Sequence, residues 1–256
     1  MSLDQQRIRP DEVVVVHRPP RTVIEPFLEG LALNVVMVQQ TTGYFTHALN
    51  LGMHASSGDL VLFLDDDARA PLSWVMGYLE WFEASPSDVA CYSSDVILVD
   101  PVTRKCLPSP DTRAHVALYR RLIRPLSHPP LEMLRAYTHG IYLDKRLRGA
   151  SGTYVPGKLC RSLPYRGTNM GFLKNGTEDA EFPEHQDLKR GFGNEQFIGL
   201  QLVLDDFTVV YSPGNPVVHI NHGSTSRGVS AGERRREGKV LRYLMAELLR
   251  TRGLKS

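Results

Sequence analysis

Three short runs near the start of the chain are apolar without alternation: Glu12–His17 (EVVVVH), Leu33–Gln39 (LNVVMVQ) and Asp59–Leu64 (DLVLFL). β-Branched residues dominate the first two, and apolar runs this short predict strands covered on both faces. Between the second and third, GYFTHALNLGMHASSG (43–58) places Phe45, Ala48, Leu49, Gly52 and Ala55 at helical spacing and stops at Ser-Ser-Gly. LSWVMGYLEWFEAS (72–85) follows Pro71 and ends at Ser-Pro, which predicts a second helix. VACYSSDVILVD (89–100) predicts a further strand. Strands alternating with helices in this order predict an α/β fold, a mostly parallel sheet flanked by helices.

The second half is less regular. Residues 100–165 hold many prolines and arginines, which predicts long loops with short helices around 115–123 and 129–137. Asn194–Leu204 (NEQFIGLQLVL) predicts a helix, and FTVVYS (207–212) and PVVHIN (216–221) predict strands. The chain closes on a helix near 230–252 whose Leu241, Leu244, Met245, Leu248 and Leu249 form one stripe opposite arginines.

Composition adds less than its distribution. Hydrophobic residues make up 42% and charged residues 23% of 256, the range of an ordinary globular protein, and the length favours one domain. The net charge is +2, yet residues 227–256 hold nine Lys/Arg against three Glu, so the body is slightly acidic and the tail basic. Three cysteines without paired spacing suggest a reducing compartment. The polar opening MSLDQQRIRPDE does not read as a signal peptide, and no apolar run approaches the ~20 residues of a membrane span. The expected localisation is cytoplasmic. The closing helix is read as packed on the domain, with peripheral contact at the inner membrane surface as its alternative role.

The chemistry begins where the third strand ends in Asp65, Asp66 and Asp67. In open α/β sheets ligands bind at the carboxyl edge of the strands. Adjacent carboxylates repel unless they are solvated or neutralised, and hard divalent ions take oxygen ligands. Alternate residues at a strand end point to opposite sides, so Asp65 and Asp67 can share a task that Asp66 does not. A solvated acidic turn is the plain alternative.

The surrounding residues tip that balance. GYFTHALNLGMHASSGDLVLFLDDDARAP (43–71) strongly resembles the family 2 glycosyltransferases of GT-A fold. Their pattern is a Gly, an Ala-Leu-Asn helix, an Ala-x-Gly-Asp turn and a strand ending in Asp-x-Asp. These correspond to Gly43, Ala48-Leu49-Asn50, Ser56-Ser57-Gly58-Asp59 and Asp65-Asp66-Asp67. RGTNMGF (166–172) resembles the family's Gly-x-Asn-Met-x-Phe loop. GFGNEQFIGLQL (191–202) resembles the acidic motif that opens the base-bearing helix, and VVHINHGSTSR (217–227) the late His segment.

The resemblance implies inverting transfer of a sugar from a nucleotide diphosphate sugar to an acceptor hydroxyl, assisted by Mn²⁺ or Mg²⁺. It implies one domain over 1–229, with a nucleotide-sugar half (1–100) and an acceptor half (101–229), followed by the basic helix (230–256). Asp67 and His219 are the implied metal ligands, with His222 a weaker one. Asp65, Asp66, Asn50 and Arg227 are the implied donor-binding residues. Gly167, Asn169 and Met170 are expected on the acceptor side, and Glu195 as catalytic base. The family motif is usually Glu-Asp with the Asp catalytic, whereas Gln196 stands here. Glu178 and Asp179 form a rival acid pair whose plainer role is a surface turn.

The pattern also includes a strand–helix unit ahead of the segment matching Pro10–Val16, and it has no counterpart in this sequence. The expected consequence is unpaired backbone and exposed apolar surface beside the sheet. That departure and Gln196 motivate a second hypothesis, a catalytically silent relative that binds nucleotide sugar or a protein. A sugar-phosphate nucleotidyltransferase would need a Gly-rich basic segment on its first strand and loop, which is absent. Donor sugar, nucleotide and acceptor (glycan, lipid-linked or small molecule) stay open, and no nucleic-acid polymer is expected.

Overall fold

The computed structural model describes residues 2–18, 24–108, 116, 118, 129–221 and 230–254. The chain begins with β1 (Val13–His17), a short helix α1 (Glu25–Leu28), β2 (Val35–Gln39), α2 (Phe45–Ala55) and β3 (Leu60–Phe63). It continues through β4 (Ala68–Arg69), α3 (Trp74–Glu83), β5 (Val89–Ser93) and β6 (Val96–Val99). A 3-10 helix (Glu132–Tyr137) leads to β7 (Ile141–Leu143), β8 (Gly149–Ser151), β9 (Cys160–Arg161) and β10 (Met170–Leu173). Last come α4 (Asn194–Leu204), β11 (Thr208–Tyr211), β12 (Val217–Ile220) and α5 (Ala231–Thr251).

A central five-stranded sheet has the order β3-β10-β5-β11-β9. Its strand β10 runs antiparallel to both β3 and β5, and β11 runs parallel to β5. The sheet is therefore mixed, where the sequence pattern predicts a mostly parallel one. RGTNMGF, read as a loop, turns into β10, which lies between β3 and β5 in this sheet. A glycine makes the fit possible: a Cβ on Gly171 would lie 2.6 Å from Leu62 and 2.9 Å from Tyr78. Phe172 packs edge-on to Phe63, which in turn meets Phe182.

The segment 89–100 is two strands, because the chain leaves the central sheet at Ser94. Ser94 is fully buried, its N–H donates to Asn169 O (3.0 Å) and its hydroxyl to Ser212 O (2.7 Å). β6 then joins a second sheet, β4-β12-β6. The helix expected at 129–137 is the 3-10 turn. The one expected at 115–123 lies, apart from Val116 and Leu118, outside the described residues.

α5 packs on α4, and its Leu241, Met245 and Leu249 enter the main core at 8%, 1% and 0% exposure. Much of the leucine stripe is thus used inside the fold. Ser230 and Glu233 close a capping box at its start. No helix among the described residues is long and apolar enough to cross a membrane.

β1 and β2 form a parallel pair of their own. Among the described residues β1 is paired only to β2, and β3 only to β10. Both strands line one cavity of about 2180 Å³, and Val13–Val16 and Leu60–Phe63 are all half-buried. The apolar surface expected beside the sheet is this slot. α2 crosses it, packing on β1 and β2.

Candidate active site

The chain switches sheets between β3 and β4, and Asp65–Asp67 occupy that switch. β4 pairs antiparallel with β12, which sets His219 opposite Ala68. Ile220 N–H donates to Asp67 O (2.9 Å). Backbone pairing thereby carries an imidazole from more than 150 residues downstream to the tip of β3. His219 Nε2 lies 3.1 Å from Asp67 Oδ1 and 3.4 Å from Asp65 Oδ2. One ligand atom from each of the three lies within 4.8 Å of the others. All three are half-buried, while Asp66 is exposed.

Burial raises the Asp67 pKa above the ordinary value; the nearby charges of Asp65 and Asp66 add to this, and His219 opposes it. Two carboxylates and an imidazole suit an oxygen-preferring divalent ion such as Mn²⁺.

On the same cavity stands Glu195, the second residue of α4. Gly193 caps that helix with φ +79, and a Cβ there would lie 2.5 Å from Leu241 of α5. A glycine therefore satisfies both the left-handed turn and the close approach. Burial raises the Glu195 pKa, outweighing hydrogen bonds from its own backbone N–H and the Gln196 side chain and the guanidinium of Arg166, while Asp65 adds to the rise. Gln196 Nε2 donates to Pro164 O (2.9 Å), holding α4 to the preceding loop, and the same side chain hydrogen-bonds Glu195.

Residues 2–128 match the family described as "Glycosyl transferase family 2". The chain carries a family 2 glycosyl transferase domain. No curated protein sequence matches it. Among solved structures it is similar to GalNAc-T7, crystallised with UDP, GalNAc and Mn²⁺, at 12% identity and TM-score 0.58, over 83% of this chain and 38% of that one. It is similar to S. aureus TarS in complex with UDP at 15% identity and TM-score 0.54, over 95% and 59% of the two chains. A mannosyltransferase from Pyrobaculum calidifontis, in complex with GDP-Man and Mn²⁺, gives 17% identity, TM-score 0.55 and coverage of 95% and 57%. The chain thus spans between about two fifths and three fifths of these neighbours, and at such identities the likeness concerns the fold.

The glycosyltransferase domain places the remaining expected residues unevenly. Asp66 and Gly167 line the cavity. Thr168 also lines it, and its hydroxyl accepts from Asp65 N–H (3.3 Å). Asn169 does not reach the cavity. It is fully buried, with Oδ1 accepting from Trp74 Nε1 (2.8 Å) and Tyr78 OH (2.9 Å), and Nδ2 donating to Asp95 O (2.7 Å) and Asn215 O (2.9 Å). Its amide is saturated, and it ties α3, β10 and the Asn215 turn together rather than facing an acceptor. Met170 is fully buried in β10 and packs the core.

Asn50, expected at the donor, is instead 4% exposed. It pairs with the Phe182 backbone in both directions (2.8 and 3.0 Å) and donates to Glu184 (2.8 Å). Glu178 and Asp179 are exposed and do not line the cavity. Arg227 and His222 lie outside the described residues. The residue that sequence reasoning passed over is Arg166, which lines the cavity and rests its guanidinium 5.0 Å from the Tyr165 ring. Its signal was present: a cation immediately ahead of the Gly-Thr-Asn loop.

Proposed function

We propose that this chain transfers a sugar from a nucleoside-diphosphate sugar to an acceptor hydroxyl, with inversion at the anomeric carbon. The observation that supports it is the convergence of Asp65, Asp67 and His219 with Glu195 on one cavity. The neighbours crystallised with UDP or GDP-Man, two of them with Mn²⁺, point the same way.

Asp65, Asp67 and His219 would hold the divalent ion, which supplies positive charge to the departing diphosphate. Arg166 adds a second cation on the same wall, and its fork suits phosphate oxygens. Glu195 takes the proton of the acceptor hydroxyl as that oxygen attacks the anomeric carbon from the face opposite the leaving group. Inversion follows from a single displacement. The half-buried setting that raises the Glu195 pKa strengthens it as a base. Gln196 carries no proton in this scheme and serves to anchor α4.

The test is a mass-spectrometric screen with Mn²⁺ against uridine-, guanosine- and thymidine-linked sugars, following donor cleavage and the anomeric configuration of any product. We expect cleavage of at least one donor, abolished by Asp67→Ala, and a product of inverted configuration. A wild-type protein that binds no donor at any Mn²⁺ concentration sinks the reading; a retained configuration removes Glu195 as the base of a single displacement.

A further inference from the structure

Two buried polar side chains on the wall that carries Glu195 have no part in the scheme above. Asn194, the first residue of α4, is 4% exposed, and Glu237 of α5 is 5% exposed. Both line the same cavity as Glu195. The start of α4 and this turn of α5 lie in contact, since a Cβ on Gly193 would sit 2.5 Å from Leu241, one turn beyond Glu237. Neither residue falls within the span 2–128 that matches the family, so the match assigns them no role.

Each side chain is half used. Asn194 Nδ2 donates to Gly191 O (2.5 Å), which fixes the orientation of the amide. Its Oδ1 is buried and has no hydrogen-bond partner among the described residues. Glu237 Oε1 accepts from Arg190 N–H (2.9 Å), and its Oε2 is likewise buried without a partner. A buried acceptor left unmatched costs about 1–3 kcal/mol, and more when it is charged. Such groups call for a partner that the chain itself does not supply. Both unmatched atoms are acceptors, so the partner must bring O–H or N–H groups.

We propose that Asn194 and Glu237 select the acceptor, their unmatched oxygens taking hydrogen bonds from hydroxyls of a polyhydroxylated sugar unit and so positioning a further hydroxyl on Glu195. The hydroxyls they hold keep their protons; only the attacking one gives its proton to Glu195. A simple alcohol has a single O–H, which the attack consumes, and nothing left for these two oxygens. A site built to bond a substrate hydroxyl rejects an analogue lacking it strongly, because its own buried groups then stay unpaired. The inference rests on the transfer reading and names the acceptor class within it.

The experiment offers the full chain, with Mn²⁺ and the donors of the screen above, a series of methyl hexopyranosides, their monodeoxy analogues, and benzyl alcohol. The wild type is expected to glycosylate at least one methyl glycoside and not benzyl alcohol. Deoxygenation beside the attacked position should lower kcat/KM roughly 10²-fold or more. Glu237→Gln replaces the charged acceptor by an amide of the same shape and keeps an oxygen for Arg190 N–H. It should raise the acceptor KM roughly tenfold, with a melting temperature at or above that of the wild type and wild-type affinity for the donor in calorimetry. Four outcomes overturn the selection and leave the transfer reading standing: benzyl alcohol glycosylated as readily as the glycosides, donor hydrolysed with no glycoside accepted, deoxy analogues used without loss, or a folded Glu237→Gln with unchanged acceptor KM. An equal fall in donor affinity in that variant also removes the acceptor role. A wild type that cleaves no donor overturns the transfer reading itself, and the acceptor selection with it.

Discussion

Asn169 and the acids at the tip of β3 are both polar groups from motifs that sequence resemblance marks as functional, and the structure treats them oppositely. Asn169 is fully buried with four partners on its amide, and nothing remains for a ligand. Asp65 and Asp67 are half-buried, charged alike, and share one imidazole. A saturated polar group stabilises a fold. A group left under-satisfied beside a cavity costs stability and persists where a ligand supplies what is missing. Motif membership alone does not separate the two; hydrogen-bond satisfaction does.

The largest effect that would break this comparison is catalytic. Glu195→Gln removes the proton acceptor while keeping shape, so donor transfer should fall by roughly 10²–10⁴ with Mn²⁺–nucleotide affinity intact. Because the Glu195 pKa is raised, wild-type turnover should fall, as pH is lowered, already above the ordinary carboxylate range. Retained turnover in the variant would move the base elsewhere. Next in size is Asn169→Ala. It strands Trp74 Nε1, Tyr78 OH and two backbone carbonyls inside the protein, which should cost about 3–5 kcal/mol in urea unfolding. Any fraction that folds should keep its donor affinity. An Asn169→Ala protein that is stable yet fails to bind donor would return the residue to the site.

What the sequence made legible follows from where its information is local. β1, β2, β3, α2, α3, α4, α5, β11 and β12 lie within a few residues of their apolar runs, because strand and helix periods are written in neighbouring side chains. Strand alternation allowed Asp65 and Asp67 a shared task, yet the resemblance set Asp65 with Asp66 at the donor and Asp67 at the metal, whereas the structure groups Asp65 with Asp67 and His219. Other features depend on distant partners. β10 escaped because Arg-Gly-Thr-Asn looks like a turn, and only flanking by β3 and β5 makes Met170–Leu173 a strand. The break between β5 and β6 depends on Ser94 meeting Asn169 and Ser212. The saturation of Asn50 depends on Phe182 and Glu184, over 130 residues away. Arg166 sat inside a recognised motif and was overlooked because the resemblance directed attention to Arg227.

A third prediction weighs the acids directly. The raised Asp67 pKa means the folded protein binds a proton there more readily than the unfolded chain. Its charged form therefore costs stability as pH rises through that raised value, and Asp67→Asn should raise the melting temperature of the metal-free protein at pH 7. Mn²⁺ at about 100 times its Kd should stabilise the wild type by about 2.7 kcal/mol, or roughly 5–10 °C. The gain should shrink on acidification, since protons and the ion compete for the same oxygens. Asp67→Asn should lose most of it. A variant whose Mn²⁺ response equals the wild type's would place the ion elsewhere.

The smallest effect discriminates most finely, because it falls inside the triplet. Asp66 shares the charge and position of its neighbours, yet it is exposed and stands outside the group that Asp65, Asp67 and His219 form. If the strand-end alternation assigns the roles, Asp66→Asn should change the Mn²⁺-dependent melting shift by only a few tenths of a kcal/mol, the size of a screened charge near a site. Asp65→Asn should remove a large part of it. Equal losses from the two variants would mean that the ion responds to the summed charge of the turn, and that no particular pair of oxygens holds it. The contrast with Asn169 would then rest on net charge alone, and the alternation that separates Asp65 and Asp67 from Asp66 would carry no functional weight.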